Sequence, residues 1–199
     1  MLTELYELHA GHIALIAERA AACHAAVNQT YGHGLPYAFH LRLTADFVTR
    51  FADLLPVADD EVETLYAAAY FHDTLEDARL SYNDLRRIFE ELNAHHGTHI
   101  NVHDAAEAVY ALTNDKGRTR AERAGEAYYA GIRATKYAPF LKMCDRLANL
   151  RYSTLFCTEQ RMAQIYRREM PHFLASIGPV PNAMAAAAAQ MCGLPLKHI

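Results

Sequence analysis

Apolar side chains return at every third or fourth position along most of this chain, the period of a helix with one face turned inward. Leu5, Ile13, Ile16 and Ala20 mark a first helix, with Thr3 placed to cap it. The run Tyr31-Gly32-His33-Gly34 reads as the turn that ends this segment, and Pro36 as the opening of the next helix. That second helix carries Phe39, His40, Leu43, Phe47 and Phe51 down one side and stops near Pro56. A third starts at Asp59 or Asp60 and sets Val62, Leu65, Ala69 and His72 at spacings of three and four. Ser81 and Asp84 form a capping box for a helix through Leu85, Ile88, Phe89 and Leu92.

A polar, histidine-rich connection follows from Asn93 to His103. Asp104 then caps a helix reaching Leu112, and another spans Thr119 to Ile132. Pro139 opens a helix through Leu141, Cys144, Leu147 and Leu150. The next runs from Thr158 towards Ile177, where Pro171 should kink it or end it early, and Asn182 caps an Ala-rich final helix. No alternating run of convincing strand length, internal repeat or flexible linker interrupts this pattern. It predicts one all-α domain, a helical bundle with its core over about 20–155 and a C-terminal helical extension over about 158–199.

Composition narrows the class. At 199 residues the chain is shorter than the ~250–300 at which single cores divide, and 52% apolar residues exclude a disordered chain. A net charge of −4 lacks the global basic field of a duplex nucleic-acid binder. Cys23, Cys144, Cys157 and Cys192 are scattered, with no CxxC pair, and read as single buried thiols of a reducing compartment. The first residues lack the pattern of a signal peptide, and Met184 to Met191 falls far short of the ~20 apolar residues that span a bilayer. The expectation is a soluble cytoplasmic protein with a small-molecule partner, no duplex nucleic acid and no membrane; a homo-oligomer is compatible with it.

The sharpest chemical signal is His40, the adjacent pair His72-Asp73, and Asp145, distributed over three predicted helices. Bundles build metal centres from facing side chains in this way, and two imidazoles with two carboxylates suit a divalent transition metal. Such a cation lowers the pKa of a bound water towards neutrality. Taken alone, His40 would be a hydrogen-bonded core histidine. Two further features change that balance. Glu76 and Asp77 follow His72 and Asp73 by four residues, so a continuing helical turn places all four on one side, where two more carboxylates can orient water and move protons. Asn149 follows Asp145 by one turn, and Lys142, Arg146 and Arg151 surround them with charge suited to phosphate.

The order His40, His72-Asp73, Asp145 resembles that of HD-domain phosphohydrolases. The longer strings resemble one branch of that family, the RelA/SpoT-type hydrolases of guanosine tetra- and pentaphosphate. His72-Asp73-Thr74-Leu75-Glu76-Asp77 matches that branch's HD-x-x-ED motif, and Lys142 to Asn149 matches its K-x-x-DRLxN motif. Leu112-Thr113-Asn114-Asp115-Lys116, with Arg120, Glu122 and Arg123, is similar to the segment between them in small stand-alone members. Similarity runs from about Ala20 to Arg151. The HD pair is poorly specific; HD-x-x-ED together with DRLxN is strongly specific.

The resemblance implies a manganese-dependent 3′-pyrophosphohydrolase, in which His40, His72, Asp73 and Asp145 hold one Mn²⁺. Glu76 and Asp77 would position water and shuttle protons, and Asn149 would orient substrate or metal ligands. Lys116, Lys142 and Arg146 would meet phosphate, with Arg120 and Arg123 adding charge. The large bifunctional relatives carry Arg-Lys shortly before G-x-P-Y; here Tyr31-Gly32 precedes Gly34-Leu35-Pro36-Tyr37. Tyr31 can stack on a base, whereas Gly32 supplies no charge and serves the turn. The family's His-Pro is His40-Leu41 here. Besides ppGpp, another phosphorylated nucleotide such as the 2′-phosphate of NADPH, or a catalytically silent nucleotide sensor, accommodates the same residues.

His95, His96, His99 and His103 include two i,i+4 pairs, a metal spacing on a helix, yet Gly97 breaks the segment and solvated loop residues are the expectation. His9, His12 and His24 decorate the first helix without a usable pattern. Tyr128 and Tyr129 belong either to the core or to a pocket wall, and the run Ala185 to Ala189 to close helix packing or a partner surface.

Overall fold

Helix α1 (Leu2–Ala26) turns Ile13, Ile16, Ala20 and Cys23 inward at spacings of three and four, where all are buried. In the computed structural model, which describes residues 2–114, 118–157 and 159–194, this helix lies against α2 (Ala38–Phe51) and α3 (Val62–Phe71). The architecture is an all-α bundle. Every residue of α3 is buried, Glu63 and Thr64 included, because α1, α2 and α6 (Val102–Leu112) all pack on it. Its small Ala67, Ala68 and Ala69 let these neighbours approach closely. A short α4 (Thr74–Asp77) follows α3 after a two-residue break, and α5 (Tyr82–His96) packs on α6.

Beyond α6 come α7 (Arg120–Arg123), α8 (Glu126–Ala134) and the long α9 (Ala138–Leu155), which packs on α2. The C-terminal α10 (Arg161–Ser176) and α11 (Asn182–Met191) both lie on α9. Ala185, Ala188 and Ala189 are buried there, the close packing that their size permits. One cluster of buried apolar side chains extends from Ile13 to Cys192. Among the described residues, no helix is long and apolar enough to cross a membrane.

Several elements depart from the sequence pattern. Tyr31 to Gly34 is not a plain turn: β1 (Thr30–Tyr31) and β2 (Leu35–Pro36) pair antiparallel, so Pro36 lies in a strand and α2 begins at Ala38. Gly97, with φ of +69°, ends α5, which places Asn93 to His96 in a helix rather than in a connection. Asn101, not Asp104, caps α6 by accepting the Asp104 N–H. The helix expected from Thr119 to Ile132 divides at Ala124–Gly125, with Thr119 capping the first piece. Pro171 sits inside α10 without ending it, and Pro181 takes the cap position expected of Asn182. The Ser81–Asp84 capping box forms as expected. Thr3 falls within α1 rather than ahead of it; the side chains of Thr3 and Leu5, and the whole of Lys116 and Thr158, lie outside the described residues.

Gly32 earns its place twice over. It has φ of +57°, and a Cβ there would lie 1.9 Å from the Tyr152 hydroxyl. Gly32→Ala should therefore destabilise the protein by about 2 kcal/mol or more, from left-handed strain and overpacking together, measured by urea denaturation.

Candidate metal centre

Helix α2 packs against both α3 and α9, so the first turn of α2, the C-terminal end of α3 and the middle of α9 meet. That meeting brings His40, His72 and Asp145 together, each of them buried. His40 Nε2 lies 3.2 Å from His72 Nε2, 3.3 Å from Asp73 Oδ2 and 3.4 Å from Asp145 Oδ1. His72 Nε2 lies 2.9 Å from Asp73 Oδ2 and 3.8 Å from Asp145 Oδ1. An ion with ligand bonds of ~2.0–2.3 Å keeps adjacent donors about 3–3.5 Å apart, so this spacing fits a metal. His72 Nδ1 donates to the Ala69 carbonyl at 2.8 Å, which leaves the Nε2 lone pair facing the centre. His40, His72 and Asp145 can hold a metal ion, with Asp73 beside them.

Burial opposes charge on the His40 imidazole, but the Asp145 and Asp73 carboxylates outweigh it and raise its pKa to about 9. Burial likewise opposes charge on the two carboxylates. His72 and His40 nevertheless hold Asp73 well below the usual carboxylate range, and Lys142 with His40 does the same for Asp145. Both stay anionic, a demand for positive charge that a divalent ion meets.

The helical turn expected through His72 to Asp77 is interrupted. Asp73 has φ of −102° and ψ of 1°, between α3 and α4, yet the Asp77 N–H still bonds to the Asp73 carbonyl at 2.8 Å. Asp77 thus stays one turn from Asp73. Tyr37 links them, its hydroxyl 2.7 Å from Asp73 Oδ2 and 2.8 Å from Asp77 Oδ2. Burial, only partly opposed by Tyr37 and reinforced by Asp73 and Glu76, raises the Asp77 pKa above the ordinary carboxylate value. Exposed Glu76 accepts Asn114 Nδ2 at 3.0 and 3.1 Å. Asn149 Nδ2 donates to Asp145 Oδ1 at 2.5 Å, and its Oδ1 accepts the Tyr31 hydroxyl at 2.9 Å.

A cavity of about 450 Å³ opens over this group. Tyr31, Glu76, Asp77, Arg120, Arg123, Lys142, Arg146 and Asn149 all line it, together with His40, Asp73 and Asp145. The cations are less free than their sequence positions suggest. Lys142 Nζ is 3.0 Å from Asp145 Oδ2. Glu169 takes both Arg120, at 2.6 and 3.1 Å, and Arg146, at 3.0 Å. Arg146 also lies over the rings of Tyr166 and Phe173. Tyr31 is not an open platform: its ring stacks on His40 at 4.7 Å and 19°. Packing on Tyr37 is edge-on, with centroids 6.0 Å apart.

Sequence reasoning missed Tyr37, Asn114, Tyr166, Glu169 and His172 as cavity residues. Tyr37 and Asn114 stood inside quoted motifs and could have been found there. Glu169 and His172, in the C-terminal helices, had no such signal. Tyr128 and Tyr129 do both jobs, buried and lining the cavity. Neither a protein-family model nor a curated protein matches the chain.

Two outcomes follow from this geometry. With metal chelated, His40 adds stability that is complete below its ordinary pKa of 6.5 and is lost as pH rises through about 9. The lowered pKa values of Asp73 and Asp145 add stability present above the ordinary 3.8 and lost as pH falls further. Metal-free protein should be most stable between these limits and lose up to about 3 kcal/mol towards alkaline pH. Denaturant melts across pH check this, and Asp145→Asn should flatten the alkaline loss. Tyr31→Ala, which removes the ring from His40 and the hydroxyl from Asn149, should weaken metal binding about 10–100-fold. Tyr31→Phe should do far less, as measured by metal titration.

Proposed function

We propose that this chain is an HD-type, divalent-metal-dependent phosphohydrolase acting on a phosphorylated nucleotide. Guanosine 3′,5′-bis(diphosphate) and its 5′-triphosphate counterpart are the leading substrates, cleaved by water to GDP and GTP respectively with release of pyrophosphate. The observation that carries the reading is the 2.9–3.8 Å spacing of His40, His72, Asp73 and Asp145 donors, of which His40, Asp73 and Asp145 line a ligand-sized cavity. Two imidazoles and two carboxylates suit an ion such as Mn²⁺. Bound there, it supplies Lewis acidity, making water nucleophilic near neutral pH and offsetting phosphoryl charge.

The chain's own residues supply the rest. Asp77, its pKa raised and its carboxylate tied to Tyr37, is suited to take and return a proton. Glu76, held by Asn114, orients water. Asn149 fixes Asp145 and so the ligand geometry. Four cationic side chains and five carboxylates line the cavity, so a dipositive ion tips its balance positive and favours a polyanion. Lys142, Arg146, Arg120 and Arg123 then face developing charge on the phosphoryl oxygens, a major source of rate enhancement.

A second reading, another phosphorylated nucleotide such as NADPH with its 2′-phosphate, is favoured by one observation. The Tyr31 ring, where larger relatives carry a base-contacting residue, is stacked on His40.

Metal-loaded protein incubated with ppGpp, pppGpp, NADPH and cyclic nucleotides separates these. Pyrophosphate from ppGpp supports the first reading and orthophosphate from NADPH the second; binding without turnover in every metal overturns hydrolysis. Glu76→Gln and Asp77→Asn should each lower turnover ~10²–10⁴-fold with metal content unchanged. Loss of metal alongside activity would make them ligands instead.

A further inference from the structure

A second group of ligand-type side chains lies at the opposite end of α3. His9 and His12 stand one turn apart on α1 and face Glu63 in the first turn of α3. Glu63 Oε1 is 2.6 Å from His9 Nδ1 and 2.7 Å from His12 Nδ1. Ligand atoms of the three residues all fall within 4.8 Å of one another. The Glu63 side chain is 1% exposed, and among the described residues its ion-pair partners are these imidazoles, with no lysine or arginine. Its other oxygen accepts the backbone N–H of His99 at 2.5 Å. A carboxylate so deeply buried requires a compensating cation.

The surroundings of His9 suit two kinds, the protonated imidazole itself or a metal ion in place of its proton. His9 Nε2 is 3.1 Å from Asp59 Oδ1. A carboxylate on the far nitrogen is the support that metal-binding histidines use to fix their tautomer. With Nε2–H donated to Asp59, the Nδ1 that faces Glu63 Oε1 carries either the second proton of an imidazolium, which burial opposes but the two carboxylates favour more strongly, or a lone pair that a metal ion between the two atoms would take. The same oxygen meets His12. The His99 ring stands edge-on to His12, centroids 6.5 Å apart, on the segment that Glu63 pins. One member of the histidine-rich stretch is thereby brought beside His12 of α1.

We propose that His9, His12 and Glu63 form a second divalent-metal site of the zinc class, with Asp59 orienting His9. Two imidazoles and a carboxylate with a fourth position to fill is a zinc donor set. Bonds of ~2.0–2.2 Å require the donors to part by less than about 1 Å, within reach of the torsions of a partly exposed His12. The ion would tie α1 to α3. It is separate from the centre at His72, which lies ~13 Å further along α3 at a helix rise of about 1.5 Å per residue.

Metal-stripped wild type, His12→Ala, His72→Ala and the double variant are each equilibrated with excess Zn²⁺ and gel-filtered, and bound zinc is counted by mass spectrometry. His12→Ala should hold one equivalent fewer than wild type. His72→Ala should retain the equivalent that the double variant lacks, and Zn²⁺ should raise its melting temperature but not that of the double variant. Histidine nitrogen NMR on wild type, which needs no variant to fold, should show the His9 and His12 rings shift on zinc addition. Unchanged stoichiometry in His12→Ala, or rings that remain imidazolium in the presence of zinc, would overturn the site. Failure of the centre at His72 would show separately, as a His72→Ala variant that loses no zinc.

Discussion

Two carboxylates turned into the protein interior oblige everything around them to supply positive charge. Asp73 and Asp145 remain anionic despite burial, because His40, His72 and Lys142 face them within 4 Å. In a low-dielectric interior that attraction is strong, and removing any one partner leaves charge uncompensated. The bundle's arrangement serves this requirement. Helix α2 brings His40, the end of α3 brings His72 and Asp73, and α9 brings Asp145, and the contacts of α2 with its two neighbours fix the distances.

Around that centre the polar groups are linked rather than free. Tyr31 stacks on His40 and donates to Asn149, which donates to Asp145; Tyr37 joins Asp73 to Asp77. Each link restrains a side chain that the proposed chemistry uses, and such support makes a site rigid. In the same cavity, Glu169 gathers Arg120 and Arg146. Their guanidinium groups are thereby held in place, which would lower the ordering cost of binding the anionic ligand proposed above.

The same logic recurs at the other end of α3, where buried Glu63 faces His9 and His12. A helix buried on every side can carry a carboxylate only where neighbouring elements bring a counter-charge to it. At its C-terminal end the neighbours are α2 and α9; at its N-terminal end they are α1 and the segment after α5.

The sequence by itself determined the all-α pattern and the residue types available to a metal, because a 3.6-residue period and the identities of His40, His72, Asp73 and Asp145 are local properties. The Ser81–Asp84 cap and the helix opened by Pro139 are likewise local and were readable directly. The break at Asp73, the strand pair flanking Gly32 and the split at Gly125 were not, since each answers to packing from distant segments. Only the tertiary structure decided which charges meet. Glu169 lies 23 residues beyond Arg146 and 49 beyond Arg120. His9 and Glu63, 54 residues apart, show no mutual signal along the chain. Periodicity says that a side chain faces inward; which partner it finds there depends on how helices stack, and that is set by the shapes of all their buried faces together.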